Sequence, residues 1–174
     1  RVVGLVPFGD SGFRLALDGE EGELVYAGPE EALAVRLAQA RQIAAPSLQD
    51  LLRRSRAWDA VPLAAWFDLG LAAYLLNPDD RNYSFERLRA ALFVAPDPYG
   101  EAEPLESPNG AEGGEEGPHP EAQGQAALAC LRALSRRLRD AGLFDLLRDL
   151  ETPLIPVLAA MERRGVRIDF AAFR

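Results

Sequence analysis

Residues 95–120 are the feature that most limits how this 174-residue chain can fold. This stretch holds six prolines, five glycines and seven acidic residues, and it has no basic residue and hardly any large apolar side chain. Such a composition cannot bury enough apolar surface to offset the entropy lost when its backbone is ordered. The sequence therefore predicts a disordered acidic loop inside one compact domain.

The charge of the chain is concentrated in the same stretch. Overall, 27 acidic residues against 19 basic residues give a net charge of -8, which taken alone argues against a nucleic-acid partner. Seven of the acids lie in residues 95–120, so the rest of the chain carries 20 acids against 19 basic residues. Because that remainder is nearly neutral, the acidity does not exclude a protein that works on DNA.

The cysteine, histidine and apolar content exclude several classes of protein. One cysteine, Cys130, excludes an internal disulfide framework, and one histidine, His119, excludes the ligand clusters of ordinary zinc sites. No apolar run approaches the roughly 18 residues needed to span a bilayer, and no basic segment followed by an apolar one opens the chain. We expect a soluble, cytoplasmic protein with no membrane partner.

The pattern begins with strands and continues with helices. Strands are predicted, in chain order, at residues 2–8, 13–17, 24–26 and 42–45, with a turn at Asp10-Ser11-Gly12. Helices are predicted from about 29 to 40, 48 to 54, 68 to 76, 84 to 92, 127 to 138 and 143 to 150, followed by one that starts or kinks at Pro153 and Pro156 and ends at Arg164-Gly165. Three antiparallel strands followed by helix, strand and helix predict an α/β fold, namely a ribonuclease H-like mixed sheet with helices packed on it.

Three stretches carry a more specific signal than the spacing of apolar residues. Residues 67–78, FDLGLAAYLLNP, resemble the FDxxLAAYLLxP helix in the 3'-5' exonuclease-like domain of bacterial DNA polymerase I, the family A polymerases. Residues 151–169, ETPLIPVLAAMERRGVRID, resemble the ExPLxPVLxxMExxGVxID segment with which the polymerase domain of that family begins. Between them, residues 138–143 are similar to the family's helix-AGL-helix junction. The resemblance implies an exonuclease-like domain over residues 1–150, including the loop at 95–120, and the start of a polymerase domain over 151–174.

The resemblance also implies where catalytic carboxylates would stand. In the active exonucleases of this family, four carboxylates hold two divalent metal ions, which activate a water and stabilise the leaving oxygen of a phosphodiester. At the corresponding positions this chain has Gly4, Val6, Leu51 and Gln123. Magnesium and manganese require oxygen ligands, and every expected carboxylate is missing. We therefore expect a vestigial domain with no catalytic residue, no metal and no cofactor.

The expected role is structural. The parent enzyme implied by the resemblance synthesises DNA with magnesium in replication and repair, and this module, a monomer, would meet DNA through that parent and brace its polymerase domain, with residues 143–164 as the coupling element. One alternative is an active exonuclease whose metal site is rebuilt from Asp18, Asp50, Asp68 or Glu121, although Asp50 more simply completes a capping box with Ser47. Another alternative is an interaction module that uses the acidic loop.

Several other side chains have a simple interpretation. Cys130 is expected to be a small buried thiol, and His119, between two prolines, an exposed imidazole without a catalytic role. Trp58 and Trp66 are expected to pack in the core or between domains rather than to stack on bases. A solvated helix face is predicted for the arginines after Cys130, with a phosphate-contacting stripe as the rival interpretation; these are Arg132, Arg136, Arg137 and Arg139.

Overall fold

A computed structural model describes residues 1–9, 12–80, 82–94 and 122–165 of the chain. A five-stranded mixed sheet forms its centre. The strands are β1 (Val2–Phe8), β2 (Gly12–Leu17), β3 (Leu24–Ala27), β4 (Gln42–Ala45) and β5 (Trp66–Asp68). Their order in the sheet is β3-β2-β1-β4-β5; the first three strands in the chain are antiparallel neighbours, whereas β4 and β5 run parallel to β1. The predicted α/β class, with a mixed sheet and helices packed on it, is confirmed.

Helices cover both faces of this sheet. They are α1 (Glu30–Leu37), α2 (Leu48–Arg54), α3 (Leu69–Leu76), α4 (Phe85–Val94), α5 (Gln123–Asp140), α6 (Phe144–Leu146) and α7 (Thr152–Arg164). Two 3₁₀ turns, Arg56–Ala60 and Leu63–Ala65, precede β5, and a π-helical turn, Leu147–Glu151, joins α6 to α7.

Local signals explain where several helices begin and end. The Ser47 side chain accepts a hydrogen bond from the Asp50 N–H (3.2 Å), which confirms Ser47 as the N-cap of α2. Acidic residues in the first turn of α1 interact favourably with the positive end of its helix dipole. Helix α7 ends at Gly165, whose φ of 67° is readily adopted only without a side chain.

Several boundaries differ from the sequence expectation, among them the start of α5, which is Gln123 rather than 127. Helix α1 ends at Leu37 rather than Ala40. Asp68 is the last residue of β5 and the N-cap of α3 rather than a helical residue, and β5 itself was not predicted. Helical structure runs without a break from Phe144 to Arg164, so Pro153 lies within a continuous helical segment. The predicted turn residues Asp10 and Ser11 and the predicted loop at 95–120 lie outside the described residues.

Each face of the sheet carries its own apolar core. Side chains alternate along a strand, so neighbours in sequence point to opposite faces: Ile43 of β4 belongs to one core and Ala44 to the other. We call the core beneath α1, α2 and α7 the first-face core; it includes Leu5, Phe13, Trp58, Trp66, Ile155 and Ala159. The core beneath α3 and α5 is the second-face core; it includes Val6, Phe67, Leu69, Cys130, Leu134 and Leu138.

Candidate functional site

The four positions that correspond to metal-binding carboxylates lie on two faces of the sheet. Gly4 and Val6 belong to β1 and point to the second face, where α5 packs and where Gln123 begins that helix. Leu51, by contrast, is a buried member of the first-face core. Three of the four positions are therefore near one another, and the fourth is separated from them by the sheet.

At Gly4 the space for a side chain is already occupied. A Cβ atom built on Gly4 would overlap the carbonyl oxygen of Gly124 in α5 and would lie 3.2 Å from Cγ of Leu128. A Cβ on Gly124 would in turn lie 2.7 Å from the backbone N of Ala16 in β2 and 3.0 Å from its Cβ. The first turn of α5 thus rests directly on the backbones of β1 and β2, and the contact depends on two glycines.

The other expected positions offer apolar surface or an amide. Val6 and Leu51 are buried among apolar side chains, and Gln123 is half-buried at the start of α5. A divalent metal needs several oxygen ligands converging on one point, and glycine, valine and leucine side chains provide none. The residues present at these four positions do not fit a metal ion.

The candidate replacement carboxylates are engaged separately. Asp18 forms an ion pair with Arg132, and Asp50 Oδ1 lies 2.8 Å from Nη2 of Arg53. Glu121 lies outside the described residues. Across residues 1–9, 12–80, 82–94 and 122–165, no group of three or more His, Cys, Asp or Glu side chains comes close enough to hold a metal.

Asp68 occupies a structural position at the end of β5. Its Oδ1 accepts from the N–H of Leu71 (2.8 Å) and its Oδ2 from the N–H of Leu48 (2.7 Å), so one carboxylate binds the N-termini of both α3 and α2. The side chain is only 5% exposed. Burial raises the pKa of Asp68 to about 6, because desolvation, together with the nearby charge of Asp50, outweighs the backbone hydrogen bonds that favour the charged form.

Glu23 is an anchoring residue that the sequence did not reveal. Its Oε1 accepts hydrogen bonds from the backbone N–H groups of Gly124 and Gln125, at the start of α5. Arg14 Nη1 lies 3.6 Å from the other oxygen of the same carboxylate. Ala122 has no polar side chain with which to cap α5, so Glu23 acts as a cap from a residue more than 100 positions away in sequence.

The remaining sequence-predicted residues have clear environments. Cys130 is buried, and desolvation raises the pKa of its thiol to about 12, which confirms a buried structural cysteine. Trp58 and Trp66 are buried and meet edge to face with ring centroids 6.0 Å apart, so their expected core packing is confirmed. His119 lies outside the described residues.

Three of the four arginines on α5 are exposed. Arg132 and Arg136 reach solvent, with Arg132 paired to Asp18, and Arg137 is half-buried. Arg139 reaches solvent too, while its guanidinium lies 4.4 Å from the centroid of the Phe144 ring. This arrangement agrees with a largely solvated helix face, and the phosphate-contacting alternative stays a prediction.

Helix α7 exposes a row of apolar side chains. The row begins in the π turn and continues along the helix; it consists of Leu150, Leu154, Val157, Leu158 and Met161, and we call it the α7 stripe. Beside it, a groove of about 360 Å³ lies between α3 and α7, lined by Tyr74, Leu154 and Leu158 and with Asp68 in its wall. The α7 stripe is a row of exposed apolar side chains, and such a surface is typical of a contact site.

None of the helices in the described part of the chain combines the length and apolarity needed to cross a membrane.

Comparisons with other proteins do not assign the chain to a family. A scan against protein-family models, a search of curated proteins and a search of solved structures each gave no match to the chain.

Proposed function

We propose that this chain is a vestigial 3'-5' exonuclease-like domain followed by the first segment of a family A DNA polymerase domain, and that it supports DNA synthesis without cleaving nucleic acid. The observation that carries the proposal is the contact between Gly4 and Gly124. The backbone of α5 lies where a side chain at position 4 would project. A carboxylate on the first strand, which two-metal nuclease chemistry requires, has no space there.

The sheet supports the fold part of this proposal. Ribonuclease H-like nucleases combine three antiparallel strands with further strands added parallel to the first one through helical connections. The order β3-β2-β1-β4-β5, with β4 and β5 parallel to β1, agrees with that arrangement. Right-handed connections that step in one direction across a sheet place their helices on one face, which agrees with α1 and α2 both covering the first-face core.

The packing of α7 supports the bracing role. The proposed boundary between the exonuclease-like and polymerase segments, at residues 150 and 151, falls inside the π-helical turn rather than in a flexible linker. Beyond it, Ile155 and Ala159 are buried in the first-face core. The first polymerase segment would therefore leave this domain in a fixed direction, with residues 143–164 as the coupling element.

A nuclease assay with engineered carboxylates tests the absence of cleavage. The purified chain should not degrade single-stranded DNA with magnesium or manganese, and neither should the double variant Gly4→Asp/Val6→Glu. That variant should also be destabilised by about 3–5 kcal/mol, because it places unpaired charges in a filled core. The control Val35→Glu, at a position that is 66% exposed, should change stability by less than about 0.5 kcal/mol. Cleavage by the purified wild-type chain would overturn the proposal.

Sequence and activity beyond Arg174 test the polymerase context. The natural protein should continue for several hundred residues and add nucleotides to a primed template. Residues 1–120 contain all five strands of the sheet. Deleting them from the natural protein should lower its thermal stability or its retention on DNA, and should affect the rate of nucleotide addition less. A deletion that changes neither stability nor DNA retention would contradict the bracing role.

A further inference from the structure

A small cavity lies at the end of the sheet where β1 and β4 begin. Val2 and Gln42, the first residues of those parallel strands, form part of its wall. Asp18, directly after β2, lies beside them, because its N–H donates to the carbonyl of Val2 (3.0 Å). Helix α5 closes the cavity with residues that include Arg132 and Arg139. The volume is about 200 Å³, and we call it the α5 cavity.

Three polar residues of α5 share the wall of the α5 cavity. Arg132, Ser135 and Arg139 follow one another at intervals of three and four residues, and residues with that spacing lie on one side of a helix. Ser135 is only 7% exposed, on the side of α5 that is otherwise buried through apolar residues. A hydroxyl in that place adds nothing to the second-face core, but it provides a polar group inside the cavity.

Both guanidinium groups keep N–H donors for a ligand. Arg139 lies over the ring of Phe144, and its Nη1 makes one long hydrogen bond to the carbonyl of Ser135 (3.4 Å). A guanidinium has five N–H donors, so these two contacts leave most of them available. Arg132 pairs with one oxygen of Asp18, and both side chains of that pair are exposed. Because exposed ion pairs contribute little stability, Arg132 can turn toward an incoming anion at low cost.

The charges and the size of the α5 cavity indicate the class of ligand. Its wall holds two guanidinium groups against one carboxylate, that of Asp18, which favours an anion. The Ser135 hydroxyl and the Gln42 amide add donors from α5 and from β4. Donors that come from several directions suit the tetrahedral oxygens of a phosphate group better than a planar carboxylate. The volume is below the roughly 300–1,000 Å³ of pockets that enclose a whole small molecule, so the group enters and the rest of its molecule stays outside.

We propose that the α5 cavity is a binding site for a phosphate group, held by Arg132, Arg139 and Ser135. This inference goes beyond the proposed function, because it assigns a ligand to residues that the vestigial nuclease site does not use. The phosphate group can belong to a DNA strand or to a free phosphate. In the first case, this domain contacts DNA directly and not only through its parent enzyme.

Titration of the chain with inorganic phosphate, followed by two-dimensional ¹H–¹⁵N NMR at constant ionic strength, tests the site. The amide signals of Gln42 and Ser135 should shift saturably. Arg132→Ala and Arg139→Ala should each weaken phosphate binding at least about tenfold, because each removes charge-assisted hydrogen bonds. The matched control Arg136→Ala removes an exposed arginine of the same helix that is outside the cavity wall, and it should change the affinity by less than about twofold.

A thymidine oligonucleotide with hydroxyl ends, which offers only phosphodiesters, distinguishes the two sources of the phosphate group. Displacement of inorganic phosphate by this oligonucleotide would assign the site to a DNA strand, and its failure to displace would assign the site to a free phosphate. Either result supports the phosphate site. Titration without saturable shifts would overturn the inference, as would Arg132→Ala and Arg139→Ala proteins that bind phosphate no more weakly than the control. Neither of these results would affect the proposed function, which the nuclease assay tests separately.

Discussion

Asp68 is the buried carboxylate on which the junction of β5, α2 and α3 depends. Two backbone N–H groups donate to it, yet desolvation raises its pKa to about 6 from an ordinary value of 3.8. The folded state therefore binds this proton more tightly than the unfolded state does. The stabilisation from the protonated form is complete below about pH 4 and is lost as the pH rises through 6.

The variant Asp68→Asn should reveal this pH dependence. Asparagine keeps the size of the side chain but cannot ionise, and its amide offers one oxygen to two backbone donors. The unfolding free energy of the wild type minus that of Asp68→Asn should be greatest near pH 4 and fall by about 2–3 kcal/mol by pH 7.

Urea titrations at several pH values, followed by tryptophan fluorescence, measure that difference. Asp140→Asn, which removes an exposed carboxylate at the end of α5, controls for the loss of one negative charge. A difference between wild type and Asp68→Asn that stays flat from pH 4 to pH 7 would contradict the role of Asp68 burial.

Helix α5 approaches the sheet closely because Gly4 and Gly124 have no side chains. Gly124 lets its first turn approach Ala16, Gly4 leaves room for the carbonyl of Gly124, and Glu23 caps the turn from the edge of the sheet. The amphipathic pattern of α5 predicts which side of the helix is buried, whereas the close approach depends on glycines in elements far apart in sequence.

Gly124→Ala should destabilise the protein by about 1–3 kcal/mol, because the added methyl group meets the backbone of β2. Helix propensity alone would give the opposite sign, since alanine favours a helix over glycine by about 1 kcal/mol. Chemical denaturation measures the change, with Asp140→Ala at the exposed end of the same helix as the control. A stabilised Gly124→Ala protein would show that α5 does not rest on the sheet at this point.

Elements with a local signal could be predicted, and elements that depend on distant contacts could not. The strand at Gln42–Ala45 and the cap at Ser47 follow from their own residues and are confirmed. Strand β5 is only three residues long, which is too short to display an alternating pattern, and it exists through its pairing with β4. The contacts of Glu23 and Gly124 have no local signal because they join residues about 100 positions apart.

At the scale of the whole molecule, one thin sheet separates two cores. Strands β1, β4 and β5 each contribute alternate side chains to the two cores, so neither core persists when the sheet is lost. The sequence alone predicts which positions lack carboxylates. Two other features depend on how the helices pack on the sheet: the backbone of α5 fills the space beside Gly4, and Leu51 lies in the first-face core.

Two natural reporters allow the coupling of the cores to be measured. Trp58 and Trp66 belong to the first-face core, and Cys130 belongs to the second-face core. Because both cores rest on one sheet, denaturation followed by tryptophan fluorescence and by the reactivity of the Cys130 thiol should give the same midpoint. Two separate midpoints would mean that one helical layer detaches while the sheet persists.

The contact between Gly4 and Gly124 also has a consequence for the evolution of this chain. If the chain derives from an active nuclease, a reversion of Gly4 to aspartate would meet the backbone of α5 before it met any metal. No single substitution restores the site, because a helix has to shift before the first ligand fits. In such a lineage the loss of the side chain at position 4 allowed α5 to pack more closely on the sheet, and that packing now selects against the return of the side chain.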